Sequence, residues 1–389
     1  MTFGVVLFIA LLLLVIMIHE AGHFLVAKLF GFKATKFFLG FGPTLWSFQK
    51  GETEYGVKGI PAGGFVKIVG MSPYEEVPPE DEPRSYPNKP AWQRALLLVA
   101  GSATHWVVAF VLLMVVTVGF GLPKPTNEIA TIVDEVGGVP TAAAEAGLQV
   151  GDRVIAVEGV PTSDWNEIVA YISERAGEPG RFTIERDGRR FDVTVPIGAA
   201  IMDESGVVEV APPGEDLPPP RPGERLSGFL GVSPTGVMDR DPIAGVGFAA
   251  SQIREFTVRS ITALPEVFKP VFNGDLWQSL TEDGERDPQG AVGIVGAGRL
   301  VGQAAEAGLY AEMLSFVAGL TIFIGVMNLL PLPPLDGGHL AVLLWEKITG
   351  KPVDIRKLIP IAAVVIAFFL VLFVAVLYLD LARPIKVPF

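Results

Sequence analysis

Cysteine is absent from this 389-residue chain, which excludes a disulfide framework and any thiolate-ligated metal site. A transition metal would have to rely on His, Asp or Glu. Histidine is nearly absent too. The four are His19, His23, His105 and His339, each in or beside an apolar segment where a polar group is costly unless it pairs. Charge is scarce at 19% of residues, and cations are the scarcer kind: 30 Lys and Arg against 42 Asp and Glu, for a net of −12. No basic cluster offsets that balance, which argues against a nucleic-acid partner, because phosphate binding needs a basic face.

What the chain has is apolar sequence. Half its residues are hydrophobic and its mean hydropathy is +0.46, values that suit a membrane protein carrying a soluble portion. Four segments read as membrane spans: 3–30, 95–120, 313–330 and 358–379. Each is near the ~20 apolar residues needed to cross ~30 Å of hydrocarbon. The first is not a signal peptide by pattern, since it lacks a basic start and a small-residue cleavage site. Segment 246–272 contains Arg254, Glu255, Arg259 and Glu266 and reads as a surface or interfacial amphipathic helix.

Nine Lys and Arg fall in 28–94 and four in 347–357, which places both loops in the cytoplasm by the positive-inside rule. The N-terminus, the C-terminal tail and segment 121–312 are then outside. That segment holds 30 acidic and 15 basic residues, a net of −15 that is compatible with translocation. Within it, β-branched runs at 129–133, 153–157, 181–185 and 191–195 alternate with Gly, Pro and Asp. Helix 165–175 follows a Thr162-Ser163-Asp164 cap, Arg186-Asp187-Gly188-Arg189 reads as a hairpin turn, and the proline-rich stretch 211–223 reads as a linker.

The strongest motif is His19-Glu20-Ala21-Gly22-His23. Histidines four apart on a helix project from one face and can share one ion. Neutral imidazoles suit Zn²⁺, and Glu20 between them can act as general base on a metal-activated water. Zinc needs a third protein ligand. The candidate lies some three hundred residues on, in Asn328-Leu-Leu-Pro331-Leu-Pro333-Pro-Leu-Asp336-Gly337-Gly338-His339, where Asp336 completes a His₂Asp set. Such Pro- and Gly-broken backbone at membrane depth is tolerated only where protein or a water-filled cavity covers it.

Together these motifs resemble the signature of the site-2 proteases, intramembrane zinc metalloproteases, over nearly the whole chain. A single domain resembling PDZ, carried by Ala142-Ala-Ala-Glu145-Ala-Gly147-Leu148-Gln-Val-Gly151-Asp152-Arg153-Val154-Ile155, is similar to the bacterial RseP-like branch and its actinobacterial members. Phe37–Pro43 and the stretch 51–66, with its Gly63-Gly64 pair, resemble the family's membrane-associated β-hairpin and the run before it. The stretch 51–66 is expected to form strand, turn and strand.

The resemblance implies an α-helical membrane protein of about four transmembrane helices, with an inserted extracytoplasmic α+β PDZ-like domain and a membrane-associated β-hairpin. The expected division is 1–125 for the N-terminal membrane part, 126–200 for the PDZ-like domain, 201–312 for linker and amphipathic helix, and 313–389 for the C-terminal membrane part. It implies one Zn²⁺ on His19, His23 and Asp336, with Glu20 as base. The substrate would be a single-pass membrane protein in the lipid bilayer, such as an anti-sigma factor already trimmed outside. An edge strand takes up unwound substrate backbone by β-addition. Asn328, Pro331 and Pro333 are implied to hold the substrate, with Gly63 and Gly64 on the hairpin.

The chain departs from the family at Gly101-Ser102-Ala103-Thr104-His105, where the family carries Gly-Pro-x-x-Asn. His105 stands as an oxyanion donor, a further metal contact, or a satisfied buried histidine; His339 stands as a supporting or structural residue. Two other readings are a catalytically silent PDZ-bearing membrane scaffold, which Glu20 argues against, and a metal transporter, which would show internal repeats that are absent.

Overall fold

The computed structural model describes residues 2–72, 74–136, 138–203, 206–211, 217–281, 292–351 and 353–384. The chain opens with helix α1 (Thr2–Leu29) and a pair of strands, β1 (Ala34–Lys50) and β2 (Thr53–Ile68). Helix α2 (Ala91–Val115) follows and ends in a π-helical turn, Val116–Phe120. Next come β3 (Leu122–Ile132), β4 (Glu135–Val136), β5 (Val139–Pro140), α3 (Ala142–Glu145), β6 (Arg153–Val157), β7 (Val160–Pro161) and α4 (Trp165–Ser173). Six more strands are β8 (Pro179–Arg186), β9 (Arg189–Pro196), β10 (Gly198–Asp203), β11 (Gly206–Ala211), β12 (Arg225–Phe229) and β13 (Val232–Asp239). The remainder is helical: α5 (Pro242–Phe272), α6 (Asp275–Thr281), α7 (Ile294–Glu306), α8 (Tyr310–Asn328), α9 (Asp336–Thr349) and α10 (Ile359–Ala382).

Two units result: one from 1–120 and 241–389, the other Gly121–Arg240. In the first, four helical stretches among the described residues are long and apolar enough to span a bilayer: Gly4–Leu29, Ala91–Phe120, Tyr310–Asn328 and Arg356–Ala382. They fall on the four expected spans. The glycines of α1 and α7 let these helices touch backbone to backbone. A Cβ on Gly302 would lie 3.0 Å from the Gly4 Cα, and one on Gly298 would lie 2.9 Å from the Val5 Cα. This is the close approach that a small-xxx-small stripe permits.

Segment 246–272 is not a free surface helix. It belongs to the 31-residue α5, whose Phe248, Ala249, Ile253, Phe256 and Leu264 pack with Ala109, Leu113, Ala318 and Ile322 of α2 and α8. Trp106 Nε1 donates to Thr257 Oγ1 at 3.0 Å across that seam. The charged residues that suggested an interfacial helix lie along the face away from this cluster, where Arg259 pairs with Glu255.

The expected strand–turn–strand at 51–66 is seen within β2, whose residues 54–57 and 64–66 lie on opposite sides of 36–39. Its partner β1 is the preceding run 34–50, joined to it by a further turn at Gly51-Glu52, with Lys50 opposite Thr53. Phe37, Phe38 and Leu39 each pair twice, with Val66, Phe65 and Gly64 on one side and with Tyr55, Gly56 and Val57 on the other. Both strands therefore fold back on themselves, and 36–39 becomes an inner row. Buried Phe32, Ala34 and Ile68 join Ala27 of α1, Leu97 and Leu98 of α2 and Leu343 of α9 in one core. Burying a side chain such as Phe32 contributes about 2 kcal/mol. The turn is fastened as well. Glu52 accepts from Arg84 at 2.6 and 2.7 Å and from Lys28 at 2.7 Å. The Arg84 guanidinium, aided by Lys28, holds the Glu52 carboxyl down at about 2.

The second unit is a six-stranded sheet, with β13, β3, β6, β8 and β9 in order and β7 beside β6, plus a three-stranded sheet ordered β11-β10-β12. Its core is built from Ile129, Val154, Trp165, Ile168, Phe182, Ile184, Val195 and Leu230, among others. Asp164 caps α4 by accepting from Asn166 N, and Arg186 pairs with Arg189 across the β8–β9 turn. Asp152 is fully buried and receives Arg186 Nε at 2.6 Å and Nη2 at 2.7 Å.

The unit continues well past the expected boundary at 200. Strands β10, β11, β12 and β13 lie beyond or across it among the described residues, and β13 returns beside β3, with Asp239 opposite Leu122. Pro234 and Gly236 fall within β13. They sit at its register shifts, on an edge strand, where a missing N–H and a bulge are tolerated. Of the proline-rich stretch 211–223, residues 212–216 lie outside the described residues.

Candidate metal centre

Two helices carry the chemistry and two more hold it in place. One turn of α1 separates His19 from His23, so both rings leave the same face, 4.8 Å apart between centroids and nearly perpendicular. Asp336 is brought to them at the first position of α9, after the broken loop 329–335. Gly337 allows that loop to fold tightly onto the helix start, since a Cβ there would overlap the Leu329 carbonyl. A helix N-terminus also favours a carboxylate.

His19 Nε2 lies 3.2 Å from Asp336 Oδ2, His23 Nε2 lies 3.3 Å from the same oxygen, and the two Nε2 atoms are 3.2 Å apart. Ligands of a tetrahedral zinc at about 2.0–2.1 Å are separated by about 3.3–3.4 Å, so the triangle has the edge a zinc ion requires. Asp336 Oδ2 is buried with no hydrogen-bond partner. Three lone-pair-bearing atoms facing one another repel unless a cation lies among them, and these three residues form a group able to hold one.

Helix α2 closes the far side. Gly101 passes so close that a Cβ on it would overlap His23 Nε2. The His23 Nδ1 is 2.7 Å from the Leu97 carbonyl oxygen, which accepts and leaves Nε2 of a neutral ring as the ligating nitrogen. His105, 1% exposed, does not face the metal triangle. Its Nε2 is 3.1 Å from His19 Nδ1 and its Nδ1 is 2.8 Å from Thr321 Oγ1. Glu20 turns toward the sheet, where Val66 N donates to its Oε2 at 3.1 Å. A Cβ on Gly64 would lie 3.2 Å from Glu20 Cγ, so this part of β2 lies directly against Glu20.

The remaining sequence candidates are more distant from the triangle. Asn328 ends α8, half-buried; Pro331 is exposed and Pro333 half-buried in the loop leading to Asp336. His339 is half-buried one turn along α9, and Gly63 sits at the bend before Gly64, with Phe41 beside it. An apolar cavity of about 370 Å³, lined by Leu12, Ala297, Ile324 and Phe373 among others, includes none of the metal-facing residues.

The model of peptidase family M50 matches residues 7–373. The chain belongs to that family, the site-2 proteases. It is 32% identical to the zinc metalloprotease Rip1 of Mycolicibacterium smegmatis over 99% of this chain and 98% of that protein. Against Rip1 of Mycobacterium tuberculosis the identity is again 32%, over 98% of each. The chloroplastic membrane metalloprotease ARASP of Arabidopsis thaliana is 32% identical over 95% of this chain and 77% of its own length. This site-2 protease is thus a zinc metalloprotease and a membrane protein, and its family acts on membrane-protein substrates within the bilayer. Three participants were not singled out from the sequence, Leu97, Val66 and Thr321, and Gly101 was named only within the run 101–105. Thr321 carried a signal, a hydroxyl in an apolar span, which is costly unless partnered. The others act through backbone or through lack of a side chain and leave no mark in sequence.

Proposed function

We propose that the protein hydrolyses peptide bonds within transmembrane segments of single-pass membrane proteins, anti-sigma factors among them, with His19, His23 and Asp336 as the zinc ligands. The observation that carries this reading is the 3.2–3.3 Å triangle of their Nε2 and Oδ2 atoms on a helix that reads as a membrane span. A zinc ion held by these three residues would supply Lewis acidity, lowering the pKa of water to about 7. Glu20 holds Val66 N–H on Oε2 and accepts the water proton on Oε1, later giving it to the leaving amine. His23 and His19 each have Nδ1 engaged by a partner behind the ring, which leaves Nε2 to ligate.

A substrate helix hides its amides in its own hydrogen bonds and must be unwound before attack. The strand beside Glu20 supports strand addition of the freed backbone at Gly63 and Gly64, and Asn328, Pro331 and Pro333, on the broken loop that leads into Asp336, are read as holding the substrate. The unit Gly121–Arg240 is read as a PDZ-like domain, supported by its Ala-Gly-Leu-x-x-Gly-Asp run. An extracytoplasmic position in a cytoplasmic-membrane protein follows from the basic loops 28–94 and 347–357.

The test is reconstitution of the full chain with a single-pass protein in lipid vesicles, the cut mapped by mass spectrometry. A zinc-chelator-sensitive cut inside the apolar segment is expected. A cut confined to the aqueous part, or one indifferent to chelator, would overturn the reading.

A further inference from the structure

The two metal-facing histidines are oriented by different devices. Behind His23 stands the Leu97 carbonyl, which can only accept, so its proton is fixed on Nδ1. Behind His19 stands no carbonyl. Its Nδ1 meets His105 Nε2 at 3.1 Å, and His105 Nδ1 meets Thr321 Oγ1 at 2.8 Å. His105 and Thr321 are each 1% exposed, so this chain of three polar groups has no water to relieve it. A Cβ at position 325, one turn beyond Thr321, would fall 2.9 Å from His105 Cβ, so Gly325 leaves the space in which the imidazole sits.

Each member can donate or accept, and the chain therefore has two directions. In one, Thr321 donates to His105 Nδ1, His105 Nε2–H donates to His19 Nδ1, and His19 carries its proton on Nε2. That nitrogen then faces Asp336 as a donor and cannot bind a metal. In the other, His19 Nδ1–H donates to His105 Nε2 and His105 Nδ1–H donates to Thr321, leaving a bare lone pair on His19 Nε2. We propose that His105, backed by Thr321, is the positioning residue of the metal centre: it accepts the His19 Nδ1 proton and thereby presents His19 Nε2 as a ligand. The role given to Asn in the family motif is not transferred to it, because its ring addresses the far side of His19 rather than the reacting atoms. The inference rests on the zinc-ligand reading above and concerns how one ligand is prepared.

Side-chain geometry gives a discriminating test. Glutamine carries its amide oxygen about where His Nε2 lies, whereas asparagine carries its own about where Nδ1 lies. Zinc affinity is read by chelator competition on the detergent-solubilised full chain, and Co²⁺ in place of zinc reports the ligand field through its visible absorption. His105→Ala and His105→Asn are expected to lose about 10- to 100-fold in zinc affinity, the usual effect of removing a ligand's outer partner, while His105→Gln stays within about threefold. The Co²⁺ bands shift in the first two and hold in the third. Thr321→Val, which leaves His105 without its acceptor, weakens zinc, and Thr321→Ser retains it; this pair keeps the question open to test where a His105 variant fails to fold. Equal affinities in the Ala, Asn and Gln variants, or a Gln variant as weak as the Ala one, would overturn the assignment and leave the zinc reading intact. A parental protein that takes up no zinc would overturn both.

Discussion

Placing alanine at Gly101 probes how closely α2 is fitted to the metal centre. The new Cβ would overlap His23 Nε2 and lie 2.7 Å from both Cδ2 and Cε1 of the same ring. Carbon atoms pack best at about 3.5–4.0 Å, so the imidazole must retreat by about 1 Å, against a tolerance of about ±0.2 Å in a metal–ligand distance. It cannot simply pivot, because Nδ1 is held 2.7 Å from the Leu97 carbonyl. Either His23 leaves the ligand set or the α1–α2 crossing opens. Displacing a ligand costs at least as much as removing its outer partner, so a loss of about 100-fold in zinc affinity is the expected minimum. At a zinc concentration about 1,000-fold above the parental Kd, the stabilisation by zinc falls from about 4 to about 1.4 kcal/mol. Chelator competition measures the first quantity and thermal unfolding with and without zinc the second. Gly247→Ala on α5, where a Cβ would meet nothing within 4 Å, is the control and should leave both unchanged. A Gly101→Ala protein that binds zinc within a few-fold of the parent would refute the reasoning.

Other consequences are as direct. The Glu52 carboxyl is held at about 2, below its ordinary value of 4.5, so the hairpin turn contributes stability above pH 4.5 that is lost as pH falls toward 2. Because the ion pair is partly exposed, the amount is about 1 kcal/mol; comparing acid titrations of thermal stability for the parent and Arg84→Gln, the variant should show the smaller loss. In the unit Gly121–Arg240, Arg186→Leu strands the buried Asp152 carboxylate and should cost about 3 kcal/mol in denaturant unfolding, whereas a change under 1 kcal/mol would contradict the buried-pair account. Gly302→Val forces α7 away from Gly4 of α1 and should destabilise the protein by about 1–3 kcal/mol, seen as a lower midpoint of thermal unfolding in detergent.

The spans and the candidate metal triad were legible because each rests on a strong local pattern. Seventeen uncharged residues precede HEAGH in α1, and a His-x3-His face is a matter of helical pitch. Asp336 was reachable because a broken, Pro- and Gly-rich segment in an apolar region requires a reason. Strand boundaries fared worse where tertiary pairing outweighed local propensity. β1 pairs on both sides within one sheet, which no local alternation encodes, and Pro234 and Gly236 in β13 disguise a strand that only its edge position permits. Helix α5 carries enough charge to read as interfacial, yet its apolar face is taken up by α2 and α8. Of the site's supporting parts, a carbonyl such as Leu97 O and an amide such as Val66 N are common to every residue, so their placement is a property of the fold alone.

Zinc content and proteolysis measured together on Glu20→Gln test the central claim most directly. Glutamine keeps the shape of the side chain but cannot take a proton from water, and Glu20 lies outside the ligand triangle. The purified variant should retain one zinc per chain, as the parent does, and should fail to cleave a single-pass substrate in lipid vesicles. Cleavage at the parental rate would show that Glu20 is not the base, and loss of zinc along with activity would show that it belongs to the metal's own ligand set.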